Sequence, residues 1–220
     1  MRIKTFLIII TAFFPIFAWG KGATASDTIS VRRAFIEMPS GELDMLSKNA
    51  RLDMLDYYDN DSIWNARNNL GGLSCLKEVT NDFLAVSLTP VSTLQLKVLR
   101  LKDGKEIVMA IYTTGTDKAN SDSEIEFYDS SLNKLDKNKY FPTPKLEYFF
   151  NTKGYKTSMK EIEDILPFHT FCFNAGPDSC DVVGRLTYND VTTVEEAKII
   201  EMFLIPQVTF TWNGKTFKKI

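Results

Sequence analysis

One histidine and three cysteines bound the acid, base and nucleophile chemistry open to this chain. His169 is the only imidazole among 220 residues. Zinc sites built from several histidines are therefore excluded, and any nucleophile needing an imidazole base has this one alone. It lies in Phe168-His169-Thr170-Phe171-Cys172-Phe173. Strand alternation puts His169 on a face with Phe171 and Phe173 and turns Cys172 to the other side, so a Cys172-His169 couple is geometrically poor. Cys75 or a carboxylate can still meet His169 in the fold, and a small hydrolase using either pair is one expectation. No G-x-S-x-G and no papain-type cysteine context accompanies the histidine, so a half-buried structural role is the simpler one.

Oxygen ligands concentrate in Asp53, Asp56, Asp59 and Asp61, a run that could hold calcium. The D-x-D-x-D spacing, central glycine and terminal glutamate of an EF-hand are missing, and charge runs usually face water, so a solvated helix face is the plainer expectation. Cys172 and Cys180 are separated by the turn-rich FNAGPDS. They could close a disulfide loop, leaving Cys75 unpaired, or all three could be buried thiols. Gly71-Gly72 lacks the lysine and serine or threonine of a phosphate loop, which leaves a turn or helix stop. Tyr57, Tyr58, Trp64, Tyr148, Phe149 and Phe150 could line an apolar cleft or a sugar platform, although aromatics of this size mostly build core. No cofactor is indicated.

The first 25 residues bear on where such chemistry would operate. Arg2 and Lys4 precede an apolar run from Phe6 to Trp19, broken by Pro15, and then Ala23-Thr24-Ala25. That is the pattern of a secretory signal peptide with an A-x-A cleavage site, which predicts a mature chain starting near Ser26 in a periplasmic or secreted, oxidising setting. The apolar run is too short and broken for a comfortable membrane span, and no later segment approaches that length. Of the 26 basic residues, Arg2, Lys4 and Lys21 fall in this leader with no acid, which leaves 23 against 28 acidic residues. A net negative mature chain disfavours nucleic acid as a partner.

The elements that must position these residues follow from hydrophobic period and turn chemistry. Asp27 can cap a first helix with Val31, Phe35 and Met38 on one side, ended by Pro39-Ser40-Gly41. A second helical stretch, 42–61, carries Leu43, Leu46, Ala50, Leu52 and Leu55, with a break near Ser47. Phe83 to Leu88 alternates as a strand, and Ser92 to Thr113 predicts a hairpin turning at Asp103-Gly104. A two-residue loop there sets Leu96 opposite Ile111 and Val98 opposite Met109. One face then carries Leu94, Leu96, Val98, Ile107, Met109 and Ile111. The other carries Leu99, Leu101, Val108 and Tyr112, which are candidate contacts for a ligand or partner. Ile125 to Tyr128 completes a four-run antiparallel meander.

After the proline-bearing LDKNKYFPTPK the pattern becomes mixed. Leu146 to Phe150 fits a short strand, and Ser158 to Glu161 opens a helix closed by Pro167. Phe168 to Phe173 and Val182 to Tyr188 are strand runs, and Thr193 to Glu196 opens a last helix. Asn213-Gly214 predicts a terminal hairpin pairing Phe210 with Phe217. Residues 1–25 are thus a leader, 26–140 helices plus meander, and 141–220 a mixed segment that can continue the same domain.

Met38-Pro39, Arg51-Leu52-Asp53, Leu70-Gly71-Gly72, Leu88-Thr89-Pro90 and the final W-x-G-K-x-F, in that order, resemble an exported Bacteroidales family called domain of unknown function 3256. The resemblance implies export and an α+β domain, and carries no catalytic residue or ligand with it. The expected fold is α+β, with N-terminal helices packed on an antiparallel meander, followed by a mixed segment ending in a hairpin. The expected function is that of a non-catalytic envelope protein taking an apolar or amphiphilic ligand or a protein partner, with His169, Leu99, Leu101, Val108 and Tyr112 as its candidate contacts.

Overall fold

The computed structural model describes residues 28–60, 65–115, 121–153, 158–188 and 193–220. Residues 1–27, which include the expected leader and the expected cap Asp27, lie outside them, as do Asp61 and Trp64. Helix α1 (Val31–Glu37) is capped by Ser30, whose hydroxyl accepts from Arg33 N–H at 3.2 Å. Helix α2 (Lys48–Asp59) begins where a break is expected, because the Ser47 hydroxyl caps it through Ala50 N–H. Leu43 and Leu46 are buried in the turn between the helices and not in a helical stripe, while Leu52 is exposed on α2. The inward face of α2 is instead Arg51, Met54 and Leu55.

Seven strands follow in sequence order as one antiparallel sheet: β1 (Asn65–Arg67), β2 (Leu73–Val79), β3 (Phe83–Thr89), β4 (Ser92–Arg100), β5 (Glu106–Thr114), β6 (Asp122–Tyr128) and β7 (Lys134–Leu135). The meander is longer than the four predicted runs. Its β1–β2 hairpin is built on Asn68, whose side-chain oxygen accepts from Leu70 and Gly72 N–H while its amide donates to Leu88 O.

The β4–β5 register differs from the expected one by a single residue. Leu96 faces Ala110 and Val98 faces Val108. Leu101 N–H bonds Lys105 O, which makes Lys102-Asp103-Gly104 a three-residue loop with Gly104 at φ +87°. This is the form in which glycine closes a type I turn with a bulge, whereas a two-residue loop would need positive φ at Asp103 as well. A one-residue slip exchanges the faces of β5. Leu94, Leu96, Val108 and Ala110 therefore pack together beneath α1 and α2, and Leu99, Ile107, Met109 and Ile111 share the opposite side. Leu99 and Leu101 face away from Val108 and Tyr112, so these four do not form one surface.

The opposite side is covered by the rest of the chain. A four-stranded antiparallel sheet, in the order β11-β10-β9-β8, is made from β8 (His169–Ala175), β9 (Val182–Tyr188), β10 (Val208–Trp212) and β11 (Phe217–Lys219). Helix α3 (Met159–Ile165) is capped by Ser158, and α4 (Val194–Phe203) carries the full Thr193/Glu196 capping box. Leu146–Phe149 is a 3₁₀ turn and not the predicted strand; only Phe150 bridges, to Leu204. The terminal hairpin turns at Gly214-Lys215 and sets Trp212 opposite Phe217. This shift of two in the pairing preserves the faces, so Val208, Phe210 and Phe217 still enter the core with Phe83, Ile125, Phe127 and Phe173.

Polar residues on the covered face of the first sheet fit the free edge of β8. Gln95 accepts from Ala175 N–H at 3.0 Å and donates to Asn174 at 2.8 Å, and the Ser123 hydroxyl accepts from Phe173 N–H at 3.0 Å. Lys97, only 1% exposed, donates to Gly176 O at 3.3 Å and Pro177 O at 3.0 Å and pairs with Asp82 at 3.0 Å. An edge that would be costly to bury unpaired is satisfied by side chains in place of another strand.

Candidate functional site

Strand β7 pairs with β6 only at Phe127 and Tyr128. Beyond it the chain leaves the sheet in a 3₁₀ turn, Lys137–Lys139, capped by Asp136, and passes through Phe141-Pro142-Thr143-Pro144. Between this loop and β6 lies a groove of about 450 Å³, lined on the strand side by Asp122, Ser123, Glu124 and Ile125. Four consecutive residues cannot line a cavity from one face of a strand, because alternate side chains point oppositely. The groove therefore runs along the strand's edge. Phe141 and Phe173, with ring centroids 5.2 Å apart, form its apolar end.

Charge is organised at one end of this groove. Lys137 bonds Glu124 at 3.2 Å and Glu126 at 3.1 Å, and Lys134 approaches Glu126 at 3.5 Å and Glu42 at 3.7 Å. Burial alone would lower the Lys137 pKa, but its bonds to Glu126 and Glu124 outweigh that and hold it above the ordinary lysine value. Behind them Tyr128 donates to Glu42 at 2.6 Å, and Tyr112 donates to Glu42 O at 3.1 Å. Burial pushes the Tyr112 hydroxyl up to about 12. Tyr128 is raised further still, by burial and then by its bond to the Glu42 carboxylate. Neutral phenols bonded to acceptors act here as ties between the α1–α2 connection and the sheet. Neither is poised to lose a proton near neutrality.

The other candidates are dispersed. His169 is half-buried, with Nδ1 3.0 Å from Leu166 O and its ring edge-on to Phe171. Strand β8 packs on β4, β5 and β6, whereas Cys75 sits on β2 with its thiol donating to Leu76 O. Cys75, Cys172 and Cys180 are all free thiols, and burial pushes Cys180 up. Asp53, Asp56 and Asp59 are exposed; Asp59 is engaged by Arg32 through two bonds of 2.6 and 2.9 Å. Among the described residues no three His, Cys, Asp or Glu side chains gather as a metal site. Leu99 and Val108 are fully buried, and Leu101 and Tyr112 pack against opposite cores. The groove drew no notice in the sequence because its walls come from separate segments; the only local sign is Pro142 and Pro144 opposite a strand.

These features define an α+β protein of two antiparallel sheets, with α1 and α2 on the outer face of the first, α3 and α4 packed into the other core, and a groove along a strand edge. No helix among the described residues is long and apolar enough to cross a membrane. The chain belongs to the family of proteins of unknown function designated DUF3256, whose profile matches residues 23–217. It is also similar to a solved domain of an uncharacterized protein from Porphyromonas gingivalis W83, with a TM-score of 0.71 and 18% identity over 86% of this chain and 96% of that one. At that identity the likeness shows the fold. No curated protein matches.

Proposed function

We propose that this chain is an exported, non-catalytic binding protein of the cell envelope, and that its binding site is the groove along Asp122–Ile125. The observation that carries this function is the groove itself. The interior between helices and meander is filled by side chains such as Leu94, Leu96, Val108 and Ala110, all fully buried, and the cavity at its rim, between Glu42–Met45 and the strands, is about 200 Å³, less than half the groove's volume. The groove by contrast is open and within the size range of ligand sites, with an apolar end at Phe141 and Phe173 and a charged end at Glu124 and Lys137. Export is supported by Arg2, Lys4, the apolar run and Ala23-Thr24-Ala25.

Native mass spectrometry of the protein purified from its own envelope fraction tests both halves. The expected chain begins near Ser26 and carries a bound species that is lost when Thr143, an exposed groove residue, is replaced in Thr143→Trp. A chain retaining residues 1–25 overturns export. The bare protein mass alone, or a bound species indifferent to Thr143→Trp, overturns the assignment of the groove.

A further inference from the structure

The geometry points to an extended segment of a partner protein, with alternating apolar and basic residues, as the occupant of this groove, added as a strand to the edge of β6. The inference rests on the groove being the binding site and names the chemistry of what fills it. Three observations bear on it.

First, β7 stops after pairing with Phe127 and Tyr128, so among the described residues Asp122–Glu126 have no strand on their outer side. Their outward N–H and C=O groups are a template for one more strand. Second, the opposite wall cannot fill that template. Pro142 and Pro144 lack the N–H a ladder needs, and Thr143, preceding a proline, is held to extended conformations. The cleft is thus bounded by one wall that can pair with a backbone and one that cannot.

Third, the side chains along the edge differ by face. Ser123 and Ile125 share their face with Thr113 and Ile111, the side on which Phe141 and Phe173 lie. Asp122 and Glu124 point to the other face and are exposed. Glu124 and Glu126 share Lys137, and Lys134 also approaches Glu126, whereas Asp122 has no ion pair among the described residues. An added strand would therefore set every second side chain towards the aromatic end and the intervening ones beside Asp122 and Glu124, of which Asp122 has no ion pair among the described residues. Apolar residues suit the first positions and lysine or arginine the second.

The test uses the full mature chain and a short fluorescein-labelled peptide of alternating valine and lysine, read by fluorescence anisotropy and by amide hydrogen exchange. The expected result is binding that slows exchange across Asp122–Ile125. Binding should weaken about tenfold or more when the peptide's inward-facing backbone nitrogens are methylated, which removes donors while keeping side chains. It should weaken similarly for a peptide with the lysines and valines grouped in blocks, and in Asp122→Lys, a surface change expected to leave the fold intact. Equal binding by the methylated peptide overturns strand addition. No binding by any of these peptides, in a protein whose native bound species is still lost in Thr143→Trp, overturns the peptide and leaves the groove. A species indifferent to Thr143→Trp removes the groove as well.

Discussion

Arg51 and Lys97 carry charges at positions that pattern assigns to a helix surface and a mixed strand face, yet they are 3% and 1% exposed. Hydrophobic periodicity ranks residue types, and a buried cation is invisible to it because its partners are backbone carbonyls brought in by other elements. Arg51 donates from Nη1 to Phe35 O at 2.9 Å and Met38 O at 2.8 Å, closing the C-terminus of α1 from the flank of α2. Burial lowers its pKa, because the guanidinium has lost water on that flank. Replacing it in Arg51→Met leaves the carbonyls buried without a donor and should cost about 2–3 kcal/mol in urea unfolding. Tyr112 allows a prediction in pH. Its folded pKa of about 12 lies above the ordinary value of 10.0, so above pH 10 the unfolded chain gives up a proton that the folded chain keeps. Its contribution is complete below pH 10 and is lost as pH rises towards 12, by about 3 kcal/mol. Tyr128, raised in the same direction, adds to the loss. Tyr112→Phe should cost about 1 kcal/mol at neutral pH through the lost bond to Glu42 O and flatten the alkaline fall in stability, both measurable by denaturation at stepped pH.

At the level of elements, legibility depended on whether a local error changed parity. Capping residues sit next to the turns they stabilise, so Ser158 and the Thr193/Glu196 box were readable from sequence alone. Both glycine turns were located correctly, but the loop at Gly104 is one residue longer than predicted, which exchanged the faces of β5 and made Leu99, Leu101, Val108 and Tyr112 look like one surface. The slip at Gly214 was even and did no such harm. Gly214 is fixed there by more than its φ of +82°: Lys102 N–H bonds its carbonyl at 2.9 Å, and an added Cβ would meet the Lys102 side chain at 3.0 Å. Strand β2 was missed because its residue types do not follow its alternating burial: Ser74 is fully buried while Leu73 is largely exposed near the sheet's edge. The polar residues of β4 had a purpose that sequence could not supply, since their partners lie about eighty positions away in β8. Gln95→Leu should therefore destabilise the protein, although leucine suits a sheet better, because Ala175 N–H loses its acceptor. The expected cost is about 1–3 kcal/mol, and exchange at the Ala175 amide should quicken more than exchange at Ala110, on the other face of the sheet.

For the whole molecule, the consequence of the two-sheet arrangement is that the first sheet cannot be finished by its own residues. Leu99, Ile107, Met109, Ile111, Ile125 and Phe127 stand on the face turned away from α1 and α2, and what buries them is Phe141, Phe149, Phe173, Val182, Phe210 and Phe217 from the later chain. The ties across that boundary are also polar: Ser123 to Phe173, Gln95 to Ala175, Lys97 to the turn after β8, and Trp212 Nε1 to Arg100 O at 3.0 Å. A chain ended at residue 140 would keep α1, α2 and all seven strands of the first sheet and still expose a row of large aliphatic and aromatic side chains beside bare donors and acceptors. Patches of that kind mark association or aggregation in a soluble protein. Residues 26–140 expressed alone should accordingly bind an apolar dye, associate at low concentration and unfold without a sharp transition, whereas residues 26–220 should unfold in one cooperative step by both near- and far-ultraviolet circular dichroism. A monomeric 26–140 fragment with a sharp transition of its own would show that the soft boundary near residue 140 divides two independent folding units, and that the second sheet is an attachment to the first and not its missing cover.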